Sequence, residues 1–108
     1  METAYRLMWM IVMFDLPVMT KSQRDAATKF RRYLLDEAFE MAQYSVYLRF
    51  CTSYSQFKAI SNRVMQEVPE EGKVDILQMT DKQYERIISY FAQKRTRRKQ
   101  APTQFQLF

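Results

Sequence analysis

Histidine is absent from the 108 residues, which removes Ser-His-Asp triads, Cys-His pairs, imidazole acid–base chemistry and histidine-ligated zinc from consideration. Cysteine occurs once, at Cys51, so an internal disulfide and a cysteine-built zinc site are both excluded. A small buried apolar side chain is the ordinary role for such a residue, and a reducing compartment suits it. Glycine also occurs once, at Gly72, and proline three times, which leaves no flexible linker or low-complexity tract. No internal repeat is visible. The longest uninterrupted apolar run is Leu7 to Phe14, too short to span a bilayer, and the N-terminal residues lack the basic region and cleavage site of a signal peptide. The expectation is a cytoplasmic protein with no membrane partner. Hydrolysis by such a chain must rely on carboxylates, hydroxyls, lysines or a hard metal ion held through oxygen.

Side chains that build a core are abundant: eight Met, eight Phe and seven Tyr, with 47% of residues hydrophobic. A chain of this length forms one domain and buries roughly two thirds of its unfolded surface. Seventeen basic residues outnumber twelve acidic ones, and the whole excess lies in the acid-free stretch holding Lys94, Arg95, Arg97, Arg98 and Lys99. A concentrated cationic cluster favours a polyanion through phosphate neutralisation and counterion release, although a solvated terminus carries the same composition. The chain thus divides into a domain over 1–92 and a basic C-terminal tail over 93–108.

Leu7 to Phe14 reads as a strand buried on both faces. Thr20-Lys21-Ser22-Gln23 matches a capping box, and the helix it opens runs to about Glu37 with Ala26, Phe30, Tyr33 and Leu34 on one side. Lys21, Arg24, Thr28, Arg31 and Arg32 form its basic outer face, joined by Leu35. Residues 39–44 and 45–51 read as two consecutive strands with a tight or bulged join near Ser45. Ser53-Tyr54-Ser55-Gln56 is a second capping box, opening a helix over about 54–67 that places Phe57, Ile60 and Val64 on one face. Residues 73–80 read as a fourth strand. Thr80-Asp81-Lys82-Gln83 repeats the capping pattern, after which periodicity fits a helix or a strand over 86–91 equally well.

Strand, helix, strand, strand, helix, strand is the order of the ferredoxin-like α+β arrangement, an antiparallel sheet with two helices on one face and its first and third strands central. The other face of such a sheet stays bare unless a partner covers it, and a homodimer is the economical solution. Asp15 closes the first strand, where sheets meet solvent and where chemistry is often placed. Burying that charge would cost several kcal/mol unless a metal ion or turn hydrogen bonds at Leu16-Pro17 offset it.

Arg6 through Asp15 with Leu16-Pro17, the basic first helix, Gln43-Tyr44-Ser45-Val46-Tyr47 and Thr80-Asp81-Lys82-Gln83-Tyr84 together resemble the CRISPR-associated protein two family over roughly residues 5–92. Phe14-Asp15-Leu16-Pro17 and the Thr-Asp-Lys-Gln-Tyr step look most like the variant accompanying type II systems. The resemblance implies a homodimer in which a strand over 86–91 extends the partner's sheet. It also implies work beside the CRISPR integrase, CRISPR-associated protein one, during spacer acquisition, bound to double-stranded DNA as a scaffold. Several members are assigned metal-dependent endonuclease activity on single-stranded RNA or double-stranded DNA, with the acid ending strand one as ligand; here that acid is Asp15, the expected metal-binding and catalytic residue.

Two like charges brought together across a two-fold axis share a proton or bind a cation. Mg²⁺ suits one or two carboxylates plus a substrate phosphate, with Mn²⁺ or Ca²⁺ as alternatives. Lys21, Arg24, Arg31, Arg32 and the tail cations Lys94, Arg95, Arg97, Arg98 and Lys99 are the candidate phosphate contacts. Gln43, Ser45 and Tyr47 are candidates for orienting phosphate or supporting a dimer, set against ordinary packed or hydrogen-bonded strand roles. A different class of function also fits the aromatic-rich strands, a monomeric RNA-recognition-type module that stacks single-stranded RNA on its sheet.

Overall fold

The computed structural model describes residues 7–90. The elements follow in the order β1 (Met8–Asp15), α1 (Lys21–Asp36), β2 (Glu40–Gln43), β3 (Val46–Cys51), α2 (Tyr54–Met65), β4 (Lys73–Thr80) and α3 (Asp81–Glu85). One antiparallel sheet has the strand order β2-β3-β1-β4. The first and third strands are therefore central, as the ferredoxin-like reading requires. The basic tail, with Lys94, Arg95, Arg97, Arg98 and Lys99, lies outside the described residues.

Strand alternation decides what each face of the sheet does. Met8, Met10, Val12 and Phe14 of β1 and Tyr47 and Cys51 of β3 are buried against Phe30 and Leu34 of α1 and Phe57, Ile60 and Val64 of α2. Both helices thus cover one face. Cys51 is fully buried with a thiol pushed up by that burial, the inert role expected of it. Trp9, Ile11 and Met13 of β1, Leu48 of β3, and Leu77 and Met79 of β4 occupy the opposite face, which α1 and α2 leave uncovered; the single turn of α3 packs on its Trp9 end, and Ile11 and Leu48 are themselves buried. An open groove of about 590 Å³ lies on it, rimmed by Ile87, Ile88 and Tyr90.

Local signals explain the helix boundaries. At α1 the Thr20 hydroxyl accepts from Gln23 N (3.1 Å) while the Gln23 amide oxygen accepts from Thr20 N (3.0 Å), the full reciprocal box. At α2 only half of it forms: Ser53 Oγ accepts from Gln56 N, but the Gln56 side chain reaches one residue further back, to Thr52 N at 2.8 Å. This helix ends at Met65, two residues before the expected end. α1 ends in a Schellman turn, in which Phe39 N donates to Leu34 O (3.0 Å) and Ala38 N to Leu35 O (3.1 Å). That geometry puts Ala38 at φ 71°, a position glycine usually fills. Burial of both Leu34 and Phe39 in the core secures it.

The end of α1 is also tied to α2. Glu37 accepts from Arg63 Nε (2.7 Å) and Nη2 (3.0 Å) and from the Tyr33 hydroxyl (2.9 Å). Chiefly through the Arg63 hydrogen bonds, its carboxyl is held down at about 2. Burial, reinforced by the hydrogen bond to Glu37, pushes the Tyr33 hydroxyl up to about 12. Arg49, reaching beneath α1 from β3, donates to the Glu37 carbonyl.

β2 is shorter than the sequence indicates, and a bulge between Met41 and Gln43 shifts its register on β3. The two-residue turn at Tyr44-Ser45 is built without glycine. At the other end of the chain, α3 is a single turn with a complete Thr80–Gln83 capping box. It is docked on β1 by the indole N–H of Trp9, which donates to Asp81 Oδ1 at 3.0 Å, and by Tyr84 stacked on Trp9 at 4.1 Å. Residues 86–90 carry no regular secondary structure and join no strand of this chain's sheet. Strand pairing there would have to come from a second chain.

Candidate metal centre and nucleic-acid interface

Asp15 is the last residue of a central strand, and its backbone is held from both sides. On the β3 side, Phe14 N donates to Ser45 O at 3.0 Å. On the β4 side, Asp15 stands directly opposite Lys73, and the preceding residue, Gly72, comes close enough that a Cβ there would lie 2.7 Å from the Asp15 carbonyl oxygen and 2.8 Å from Leu16 Cδ2. Gly72 also has φ +104°, outside the range that side-chain-bearing residues tolerate. The one glycine of the chain is therefore fixed at the point that places Asp15. Its singularity in the sequence is the signal that marks it.

Parity along β1 puts the Asp15 side chain on the same face as Trp9, Ile11 and Met13, the face that α1 and α2 do not cover. The residue is exposed, contrary to the buried strand-end charge the sequence reading weighed. Among the described residues its carboxylate accepts no hydrogen bond and forms no ion pair, so the turn at Leu16-Pro17 does not employ it. Lys73, the nearest cation by register, has its ammonium 3.6 Å from Asp75. The carboxylate is thus left available at the end of the sheet face that α1 and α2 leave uncovered.

No cluster of three or more Asp, Glu or Cys side chains able to hold a metal occurs among the described residues. Asp75 of β4, opposite Met13 on the same face, is a second exposed carboxylate nearby but is paired with Lys73, which leaves Asp15 as the one at this strand end without an ion pair among the described residues. A hard divalent cation is compatible with it where further oxygens come from a second Asp15, from water or from a substrate phosphate.

The expected cationic contacts are distributed around α1. Lys21 pairs with Asp25 at 2.8 Å, both ends well exposed, a pair that solvent weakens. Arg24 Nη1 donates to the carbonyls of Val18 and Met19, each at 3.2 Å, closing the loop between β1 and α1. Arg31 Nε donates to Tyr44 O at 3.4 Å, and its guanidinium lies 3.9 Å from the Tyr44 ring centroid and 5.4 Å from that of Phe14. Arg32 is exposed and has no ion pair or hydrogen bond among the described residues.

Of the strand candidates, Tyr47 is 2% exposed and stacked on Phe14 with centroids 5.7 Å apart; burial pushes its hydroxyl up. It is a core residue. Ser45 contributes its carbonyl to the Phe14 contact, and Gln43 is exposed at the bulge. Sequence reasoning missed Gly72 and the Arg31–Tyr44 stack, the latter because neither residue's partner follows from periodicity.

A small α+β domain whose antiparallel sheet has its two long helices on one face, a largely apolar groove on the other and an acid ending its central strand is the class these features define. The family model described as "CRISPR associated protein Cas2" matches residues 8–87. Among curated relatives, a protein of Paracidovorax avenae is 58% identical over 108 residues, covering 100% of both chains. One of Parvibaculum lavamentivorans is 45% identical over 101 residues, covering 94% of this chain and 100% of its own. Each is named a CRISPR-associated endoribonuclease Cas2. Solved structures agree in fold: Streptococcus pyogenes Cas2 matches with a TM-score of 0.60 at 17% identity, covering 78% of this chain and 99% of that one. A second Cas2 crystal structure matches with a TM-score of 0.58 at 19% identity, covering 88% and 98%. The chain belongs to the CRISPR-associated Cas2 family.

Proposed function

We propose that this chain is a metal-dependent endoribonuclease that acts as a homodimer, with Asp15 of each subunit contributing to one shared centre. The observation that carries the reading is the Asp15 carboxylate itself: exposed, without a protein partner among the described residues, held by its backbone and set at the end of the sheet face that α1 and α2 leave uncovered. The names of the relatives support the substrate class. Pairing two such faces about a two-fold axis would remove the apolar groove from water and bring two carboxylates into one cleft, where their mutual repulsion favours a bound cation. Mg²⁺, or Mn²⁺ or Ca²⁺ in its place, would supply water activation and neutralise charge developing on the scissile phosphate. The protein's part is to hold Asp15 in register through the Phe14–Ser45 hydrogen bond and the Gly72 approach, and to attract the strand's phosphates with Arg32 and neighbouring cations of α1.

A second reading rests on the cationic outer side of α1. In it the dimer is the double-stranded DNA scaffold of spacer acquisition beside the CRISPR integrase, in the manner of the type II variant, and the strand over 86–91 extends the partner's sheet. Ile87, Ile88 and Tyr90, exposed at the rim of the bare face, are consistent with that pairing. Asp15→Ala, assayed for Mg²⁺-dependent RNA cleavage and for DNA integration by the reconstituted complex, separates the two. Loss of cleavage with integration retained assigns Asp15 to catalysis and the α1 face to DNA. Unimpaired cleavage refutes the metal-centre reading. A monomer in solution would favour the RNA-recognition-type alternative.

A further inference from the structure

Tyr44 is 68% exposed, although it sits in a tight turn and the Arg31 guanidinium stacks 3.9 Å from its ring centroid. One face of the ring is therefore covered and the other is open to solvent. Arg31 in turn lies 5.4 Å from the Phe14 ring, and Phe14 packs edge-on against Phe30 (5.3 Å) and stacks on Tyr47 (5.7 Å). The exposed ring is the outermost layer of a stack anchored in the core. Its position is further held by Arg31 Nε donating to its own carbonyl. The terminal guanidinium nitrogens of Arg31 have no hydrogen-bond partner among the described residues. Phe14 is the residue before Asp15, and its N–H bonds the Ser45 carbonyl, so this stack stands at the same end of the sheet as Asp15 but on the helix-covered side, with the strand end between the two.

We infer that Tyr44 and Arg31 form a stacking platform for one unpaired nucleobase of a single-stranded substrate, with the outer guanidinium N–H groups of Arg31 meeting the adjoining phosphate. An exposed aromatic held flat by an arginine is preorganised for a base, and stacking of this kind is tolerant of base identity. A duplex buries its base faces and cannot use the platform, so the site selects single strands. The inference deepens the endonuclease reading by giving it a substrate-positioning site. It places Tyr44 in binding and leaves the chemistry to Asp15.

The test is fluorescence anisotropy of the full chain with labelled oligouridine RNA, oligodeoxyuridine DNA and an abasic strand of equal length, in EDTA so that nothing is cut. Tyr44→Ala is expected to weaken binding of at least one base-bearing strand by about tenfold, with no change on the abasic strand, while Tyr44→Phe stays near wild type. Loss on RNA alone, or on RNA and DNA together, both support the platform and tell which sugar it accepts. Unchanged binding by Tyr44→Ala, or an equal loss on the abasic strand, overturns it. Tyr44→Leu is measured in parallel as a variant that retains side-chain bulk at the turn. Separate assay of Mg²⁺-dependent cleavage keeps the two ideas apart: a wild type that binds through Tyr44 but cuts nothing sinks the nuclease reading alone.

Discussion

Replacing Gly72 by alanine is the perturbation whose consequence follows most directly from geometry. Two effects oppose it. Backbone held in a region unfavourable to side chains costs on the order of 1–3 kcal/mol for a residue with a Cβ, and φ +104° at Gly72 is such a region. The new Cβ would in addition lie 2.7 Å from the Asp15 carbonyl oxygen, a backbone atom of a central strand that cannot swing aside as a side-chain tip could. In the other direction, alanine lowers the entropy of the unfolded chain, stabilising by roughly 0.4–1 kcal/mol. Strain and displacement win, and the net expectation is a destabilisation of about 1–3 kcal/mol, or a Tm lower by roughly 4–8 °C for each kcal/mol. Because the atom displaced belongs to Asp15, metal-dependent cleavage should fall by more than the small unfolded fraction accounts for. Urea denaturation gives the first quantity, and cleavage measured well below Tm gives the second. A Gly72→Ala protein with an unchanged midpoint and full cleavage would refute the claim that this contact sets the position of Asp15.

The opposite substitution is expected to help at the end of α1: Ala38→Gly relieves a left-handed backbone at φ 71° and should raise stability by up to about 1 kcal/mol, read from the urea midpoint. Thr20→Ala removes the acceptor for Gln23 N and should cost about 1 kcal/mol by the same measurement. Glu37, with its folded-state carboxyl lowered to about 2 from 4.5, contributes stability that is fully present above pH 4.5 and is lost as pH falls through that value towards 2. Solvent around the half-exposed Arg63 leaves this contribution on the order of 1 kcal/mol. Glu37→Gln should flatten the acid limb of the pH–stability curve over that window, and a limb as steep as wild type would contradict the assignment.

Where the structure depends on short-range pattern, the residues announced it. The apolar run Leu7 to Phe14 forms the strand its length indicates, and Thr20-Gln23 and Thr80-Gln83 close the capping boxes that their spacing indicates; the run reads as buried on both faces, whereas Trp9 and Met13 are only partly buried because α1 and α2 cover the Met8, Met10, Val12 and Phe14 side alone. Asp15 was recognisable as the end of a central strand from element order alone. Its exposure was not, because only the register with Lys73 and the parity of β1 show which face it joins. Partner choice is equally invisible, locally where Gln56 reaches Thr52 instead of Ser53, and over long separations where Glu37 chooses Arg63 across 26 positions and Arg31 stacks on Tyr44. The segment after α3 illustrates the remaining case. Its pattern of Ile87, Ile88 and Tyr90 suits a strand, yet a strand needs an edge to pair with, and in the single chain residues 86–90 have none.

The central claim is that one carboxylate from each of two chains forms a single cation site. Calorimetric titration of the full chain with Mn²⁺, repeated on Asp15→Asn, tests it most directly. The account predicts one ion for every two chains and its loss in the variant; one ion per chain, or binding indifferent to the substitution, would contradict it.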